Sequence, residues 1–344
     1  MVSEGKQLGA RALWFAAPFT AEIRPETVPP PGPGEVRIRA IASAPSAGTE
    51  MLVYRGEVPG DLALDLPTLA GSFSFPIKYG YAAVGRVLDA GPGVHAFSAG
   101  DRVFVHHPHQ DVFVVPENMP APLPEDLDPL LGLFTANLET ALNVVHDTPI
   151  QLGETALVFG QGVVGLLVTQ LLRLAGAGRV LAVEPIERRR ELALAVGADE
   201  AFAPGGDLAG RVLGATAGRG ADVAVEASGS GAALQSAVET VAVEGTVVVA
   251  SWYGVKPVTL SLGGRFHRGR VRLRSSQVGR INAELAPRWD RSRRLETAIG
   301  LLSRLRLKKL VSHRIPFARA PDAYRLLDEH PEETVQVVLT HDGS

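Results

Sequence analysis

The stretch Thr155-Ala-Leu-Val-Phe-Gly-Gln-Gly-Val-Val-Gly165 decides how the rest of the chain is read. Ala156 to Phe159 form a short apolar run that meets Gly160-x-Gly162-x-x-Gly165, and an apolar helical pattern from Val163 to Leu174 follows at once. The order is strand, tight turn, helix. Such a turn needs glycine where the backbone curves sharply, where a pyrophosphate approaches too closely for a Cβ, and where helix packs on strand. The amides that open the helix then face the phosphates, which makes Gly160, Gln161, Gly162, Val163, Val164 and Gly165 candidates for dinucleotide binding.

Working outward, strands alternate with helices: Arg179 to Glu184, Ile186 to Val196, Glu200 to Phe202, Asp207 to Ala217, Ala221 to Glu226, Gly231 to Val241 and Gly245 to Ala250. That alternation predicts a parallel sheet wound on both faces, with Val271 to Ser275 as a last strand. Leu130 to Val145 reads as one long apolar helix leading in, and Asp290 to Leu305 as a helix leading out. Residues 11 to 125 read instead as strands and turns. Arg11 to Phe15, the stiff turn Pro29-Pro-Pro-Gly-Pro-Gly34, the strictly alternating Glu35 to Ile41, Gly80 to Val87, Gly100 to Phe104 and Val112 to Val115 predict an antiparallel barrel-like unit, with a short helix near Gly48 to Tyr54. Gln336 to Thr340 is a strand expected to return to that unit.

With 344 residues, about two domains are expected. The 46% hydrophobic and 21% charged composition and the net charge of −3 suit a globular protein with no general attraction to nucleic acid or anionic membrane. The absence of cysteine removes disulfides, thiolate nucleophiles and sulfur-bound zinc together. Met1 to Ala10 holds no apolar run and no stretch reaches bilayer length, so the cytoplasm is the default location and small molecules and further copies of the chain, as a homodimer, are the expected partners.

Glu184 ends the second strand of the nucleotide unit. A carboxylate there can accept both hydroxyls of an adenosine ribose and repels a 2′-phosphate, which favours NAD(H); Arg188 and Arg189 beside it keep NADP(H) open.

Several segments together resemble the medium-chain dehydrogenase/reductase superfamily. They are Val158 to Gly165, Ala195-Val-Gly-Ala-Asp-Glu-Ala201, Ala221-Asp-Val-Ala-Val-Glu-Ala-Ser-Gly229, Pro31-Gly-Pro-Gly-Glu-Val36, Gly48-Thr49-Glu50 and Gly100-Asp-Arg-Val103. The resemblance covers nearly the whole chain. It implies a GroES-like β-barrel catalytic domain over residues 1–128, a Rossmann doubly wound domain over 129–280 and a return to the catalytic domain over 281–344, with the active site in a cleft between them. Zinc relatives carry Cys-Gly-Thr-Asp, Gly-His-Glu and a later cysteine or glutamate; this chain has Ala47-Gly-Thr-Glu50, Gly80-Tyr-Ala82 and Ala136, and it lacks the four-cysteine lobe. Alanine and tyrosine do not complete the usual zinc sphere, so the resemblance is to a zinc-free member with no metal.

Without zinc, hydrogen-bond donors must polarise the substrate. By position, Thr49 matches the hydroxyl that relays protons in relatives, Tyr81 replaces a ligand histidine, and Tyr54 resembles the cleft tyrosine of zinc-free quinone reductases. Glu50, Arg55, Asn137 and His107, the last from His106-His-Pro-His109, are the substrate-side candidates, and one of these histidines is a candidate proton donor. Thr140, Ser228, Ser251, Trp252 and Ser276 join Glu184 and Arg189 on the cofactor side, because relatives hold nicotinamide near the matching positions. Arg265 to Lys309 is strongly basic, read either as a solvated or subunit-contact face or as recognition of an anionic substrate; Arg270, Arg272 and Arg274 are expected on one strand face with Val271 and Leu273 inward. The segments Ser46-Ala-Gly-Thr-Glu50 and Tyr79-Gly-Tyr-Ala-Ala-Val-Gly85 resemble a branch of alcohol dehydrogenase-like proteins that includes the bacteriochlorophyllide hydroxyethyl dehydrogenase. That implies alcohol or ketone chemistry on a bulky substrate; a quinone or enone reductase using NADPH and a non-catalytic dinucleotide-binding protein are the alternatives.

Overall fold

The computed structural model describes residues 6–64 and 71–341, so the first half of Met1 to Ala10 lies outside the described residues. The chain forms two compact units, Met1–Ala136 with Val311–Ser344, and Asn137–Leu310. The return to the first unit therefore falls at Val311 rather than at residue 281, because the helix after the sheet stays with the second unit.

In the first unit β1 (Leu8–Ala17) and β2 (Thr20–Val28) form an antiparallel ribbon, and β3 (Glu35–Ser43), α1 (Thr49–Tyr54), β4 (Ala83–Ala90), β5 (Arg102–Val105), β6 (Val112–Pro116) and β7 (Ala121–Pro122) follow. The alternation in β3 buries Val36, Ile38, Ala40 and Ala42. Asp128 caps α2 (Pro129–Gly132) by accepting the Leu130 amide, and proline at the first helical position suits that start. The expected single helix from Leu130 is broken: α2 stops and α3 (Thr135–Asp147) begins afresh, with the Thr135 hydroxyl donating to the Gly132 carbonyl at 2.7 Å.

The second unit holds β8 (Thr155–Phe159), α4 (Val163–Leu174), β9 (Arg179–Val183), α5 (Glu187–Val196), β10 (Glu200–Phe202), α6 (Leu208–Ala215), β11 (Ala221–Glu226), α7 (Gly231–Thr240), β12 (Val241–Val249), α8 (Arg265–Arg268), β13 (Arg272–Ser275) and α9 (Arg291–Leu301). Its parallel sheet runs in the order β10-β9-β8-β11-β12-β13. Every residue of β8 is buried, as expected for a strand covered on both faces. The chain then re-enters the first unit as β14 (Val311–Pro316), α10 (Ala320–Glu329) and β15 (Gln336–Thr340), and β15 pairs antiparallel with β3 at Leu339–Ser43 and Thr340–Ala42. The larger sheet of that unit has the order β14-β15-β3-β4-β5-β7, with β6 on β3. No helix among the described residues is long and apolar enough to cross a membrane.

One expectation about the basic segment is corrected. Val271 is buried but Leu273 is 37% exposed, because β13 lies at the edge of the sheet. Arg270 and Arg272 pair with Glu244, and Arg274 pairs with Asp147 at 3.0 Å, so these arginines form ion-paired surface contacts. A deeper charge fastens α9 to α3. Arg294, 2% exposed, donates to Glu139 at 2.8 and 3.1 Å and to Asn143 at 2.6 Å.

The expectation that His107 is a substrate-side residue is also corrected. Its ring is buried, stacked on Phe113 at 3.8 Å between centroids and 10° between planes, and burial pushes its pKa down to about 3. It is neutral near pH 7 and turned into the protein.

Two measurements follow. Arg294→Ala removes the buried guanidinium that Glu139 and Asn143 bond and should lower the unfolding free energy by about 3 kcal/mol in denaturant titration, more than the paired change of Arg294 and Glu139 to leucine. Because the folded pKa of His107 lies below its unfolded value near 6.5, its stabilising contribution is complete above that pH and is lost as pH falls toward 3. His107→Phe should therefore reduce the stability difference between pH 7 and pH 5 by about 1–2 kcal/mol; an unchanged difference would contradict the assignment.

Candidate functional site

The glycine turn is built by close approach. A Cβ on Gly165 would sit 1.9 Å from the Gly160 carbonyl oxygen, and one on Gly160, at φ +86°, would meet the Ser228 Cα at 2.8 Å. Gly162 is different. Its φ of −70° suits any residue, and a Cβ there would have no protein atom within 4 Å. Beside this open space α4 begins, and the first amides of a helix have no carbonyl one turn earlier to bond. Gln161 contributes only its backbone to the turn's surface, since its buried side chain donates to Val158 O at 3.1 Å and accepts from the Thr169 hydroxyl at 3.1 Å.

Glu184 is buried at the end of β9. One carboxylate oxygen accepts the Gln161 amide at 2.6 Å and the other the Ile186 amide at 3.1 Å, so the side chain fastens the turn. Each oxygen still has a second lone pair that a ribose hydroxyl can use. Arg190 bonds the carbonyls of Glu184 and Pro185 at 2.9 and 2.7 Å, and Arg189 is half-buried nearby on α5.

Sequence reasoning missed Glu226, the carboxylate that ends β11. It is buried and gathers Ser228, Gly229 and Tyr253. Ser251 joins this loop pair by accepting the Gly229 amide at 2.8 Å, and Trp252 is 41% exposed. A buried-type apolar run, Val223-Ala-Val225, closed by a charged residue and followed by Ala-Ser-Gly was the available signal. Ser276 is less free than expected: its hydroxyl donates to Asp147 at 2.8 Å and accepts from Asn143 at 3.2 Å, while its amide bonds Val249 O. Asn137 is buried and Thr140 half-buried on α3.

In the first unit the structure brings Thr49, Tyr81 and Glu50 together with Ser46, which the sequence reading had not singled out. Tyr81 is half-buried, with the Ser46 and Thr49 hydroxyls beside its own. Burial, and then the Glu50 carboxylate, push the Tyr81 hydroxyl well above the usual tyrosine range; the two hydroxyl contacts oppose this. Glu50 itself is fully buried. It accepts from the Tyr324 hydroxyl, from His109 Nε2 at 2.9 Å and from the Ser46 amide at 3.1 Å. It is thus a support beneath the hydroxyl cluster and not the substrate contact expected. Tyr54 and Arg55 are corrected likewise. Tyr54 is buried against Phe15 and Tyr324 and donates to the Phe19 carbonyl at 3.0 Å, and Arg55 pairs with Asp328 at 2.6 Å.

Comparison with known proteins agrees with both units. Residues 32–120 match the model of the alcohol dehydrogenase GroES-like domain, and residues 163–293 that of the zinc-binding dehydrogenase. The D-guloside 3-dehydrogenase of Escherichia coli K12 is 28% identical over 324 residues, 89% of this chain and 93% of its own length. The L-threonine 3-dehydrogenase of Pyrococcus abyssi is 30% identical over 266 residues, 68% of this chain and 73% of its own. Among solved structures, an alcohol dehydrogenase of Escherichia coli CFT073 complexed with NADH superposes with a TM-score of 0.79 at 20% identity, over 96% of this chain and 99% of that one. The chain belongs to the medium-chain dehydrogenase/reductase superfamily and is a dehydrogenase/reductase built from a GroES-like unit and a Rossmann unit.

Proposed function

We propose that this protein is a zinc-independent, NAD(H)-dependent oxidoreductase that interconverts an alcohol and a ketone on a bulky small molecule. One observation carries the cofactor half: neither the backbone nor any neighbour requires glycine at Gly162, so the missing side chain leaves room for a ligand at the start of α4. The turn at Gly160–Gly165 and the Glu184 carboxylate fit a dinucleotide, with Glu184 opposing a 2′-phosphate, and the NADH complex of the Escherichia coli relative agrees with that fit.

The donor set does not fit catalytic zinc. Ala47, Tyr81 and Ala136 stand where relatives place ligands, and both Glu50 oxygens already accept hydrogen bonds. Among the described residues, one group of three metal-capable side chains is found, the exposed His330, Glu332 and Glu333. Nicotinamide, when bound, supplies or accepts hydride at its C4. In the reductive direction the carbonyl carbon gains that hydride, and Tyr81 gives its hydroxyl proton to the carbonyl oxygen. The Thr49 and Ser46 hydroxyls beside the phenol relay a proton from solvent to the Tyr81 oxygen, each taking up one proton as it gives one, which restores the neutral phenol between turnovers. Asn137 and Thr140 on α3 and the loop of Ser251 and Trp252 are the further contacts we assign to cofactor and substrate. We assign a homodimer, for which the open edge of β13 offers a strand to a second copy.

Gly162→Ala should keep or slightly raise thermal stability yet weaken NADH at least tenfold by fluorescence titration, whereas Gly165→Ala should fail to fold stably; equal NADH affinity in Gly162→Ala would end the cofactor assignment. With NADH and a panel of aliphatic, cyclic and sugar-derived ketones, Tyr81→Phe should lose about a hundredfold in kcat with NADH affinity intact. The reaction needs protonated Tyr81 and its pKa is raised, so no alkaline loss from this group should appear between pH 7 and pH 9. Full turnover by Tyr81→Phe at saturating cofactor would refute the donor role.

A further inference from the structure

Glu226 is a buried carboxylate, and among the described residues no ion pair joins it to a cation. One carboxylate oxygen accepts three hydrogen bonds, from the Ser228 amide at 2.7 Å, the Ser228 hydroxyl at 2.6 Å and the Gly229 amide at 3.0 Å; the other accepts the Tyr253 hydroxyl at 2.7 Å. All four hydrogen bonds run from a donor to a carboxylate oxygen, the pattern that a carboxylate accepts. Its four partners are all neutral, and dipoles stabilise the charge without cancelling it.

Its place in the sheet gives this charge a target. Strand order reverses between β8 and β11, which are neighbours, while β9 lies on the far side of β8. A dinucleotide crosses an open sheet of this kind at that reversal. With its adenosine half toward Glu184 at the end of β9, its nicotinamide half lies on the β11 side. Ser228, held by Glu226, is the residue that the Gly160 turn abuts.

We propose that Glu226 is a positioning residue that clamps the Ser228–Gly229 and Ser251–Tyr253 loops beneath the nicotinamide half and makes the site prefer oxidised over reduced cofactor. This deepens the cofactor reading above and rests on it. The pyrophosphate charge is common to both redox forms; they differ by one positive charge on the nicotinamide ring. At an effective dielectric of about 20–40, a carboxylate roughly 10 Å from that ring would favour its oxidised form roughly four- to fifteenfold. Because the site holds NAD⁺ more tightly than it would without this charge, the equilibrium between bound cofactor forms is shifted toward NAD⁺ and the alcohol.

The test is the ratio of Kd for NAD⁺ to Kd for NADH, measured by calorimetry on the full chain for wild type, Glu226→Gln and Tyr253→Phe, with folding checked by thermal unfolding. Glu226→Gln removes the charge and keeps the shape, and should raise the ratio roughly four- to fifteenfold. Tyr253→Phe removes a donor that offsets the charge, and should lower the ratio. An unchanged ratio in folded Glu226→Gln overturns the proposal; if that variant does not fold, an unchanged or raised ratio in Tyr253→Phe overturns it. Wild-type protein that binds neither form would instead defeat the cofactor reading itself.

Discussion

The crossing of Gly165 over the Gly160 carbonyl, at a distance that would put any Cβ 1.9 Å from that oxygen, is the contact on which the nucleotide unit depends. It lets α4 leave β8 directly, so the open end of the helix stands over the carboxyl edge of the sheet. The neighbouring strands are then tied to that turn by carboxylates. Glu184 holds the Gln161 amide from the β9 side, and Glu226 holds Ser228 from the β11 side. Hydrogen bonds to charged groups contribute about 1.5–3 kcal/mol each, enough to fix loops that would otherwise pay their ordering entropy on binding.

The first unit uses the same device for a different end. Glu50 is buried under the hydroxyls of Ser46, Thr49 and Tyr81 and is itself held by His109 and Tyr324. The result is a phenol held neutral by burial and by the carboxylate near it. A donor of that kind can supply a proton to a developing alkoxide without first being stripped of it.

Much of this was legible in the chain because it depended on periodicity and glycine. The order of strands and helices from Thr155 to Val249, and the return of Gln336 to Thr340 onto β3, follow from pattern alone. β2 was missed: Ala21 and Ile23 alternate with Glu22 and Arg24, but the next place on that face is Pro25, which argues against a strand interior. β14 and α10 were also missed, since Val311-Ser-His-Arg-Ile-Pro316 is short and mostly polar. The direction of polar side chains was the other blind spot. Tyr54, Glu50, Arg55 and His107 lie close in sequence to chemistry-bearing positions, but their partners Phe19, Tyr324, Asp328 and Phe113 come from elsewhere in the chain. Position in a motif identifies the neighbourhood of a side chain; tertiary packing decides which way it faces.

The most direct test of the account is titration of the purified protein with NADH and NADPH, following nicotinamide fluorescence. The account predicts saturable NADH binding and affinity for NADPH at least tenfold weaker, since the Glu184 carboxylate opposes the 2′-phosphate. Binding of neither nucleotide, or NADPH bound more tightly than NADH, would contradict it.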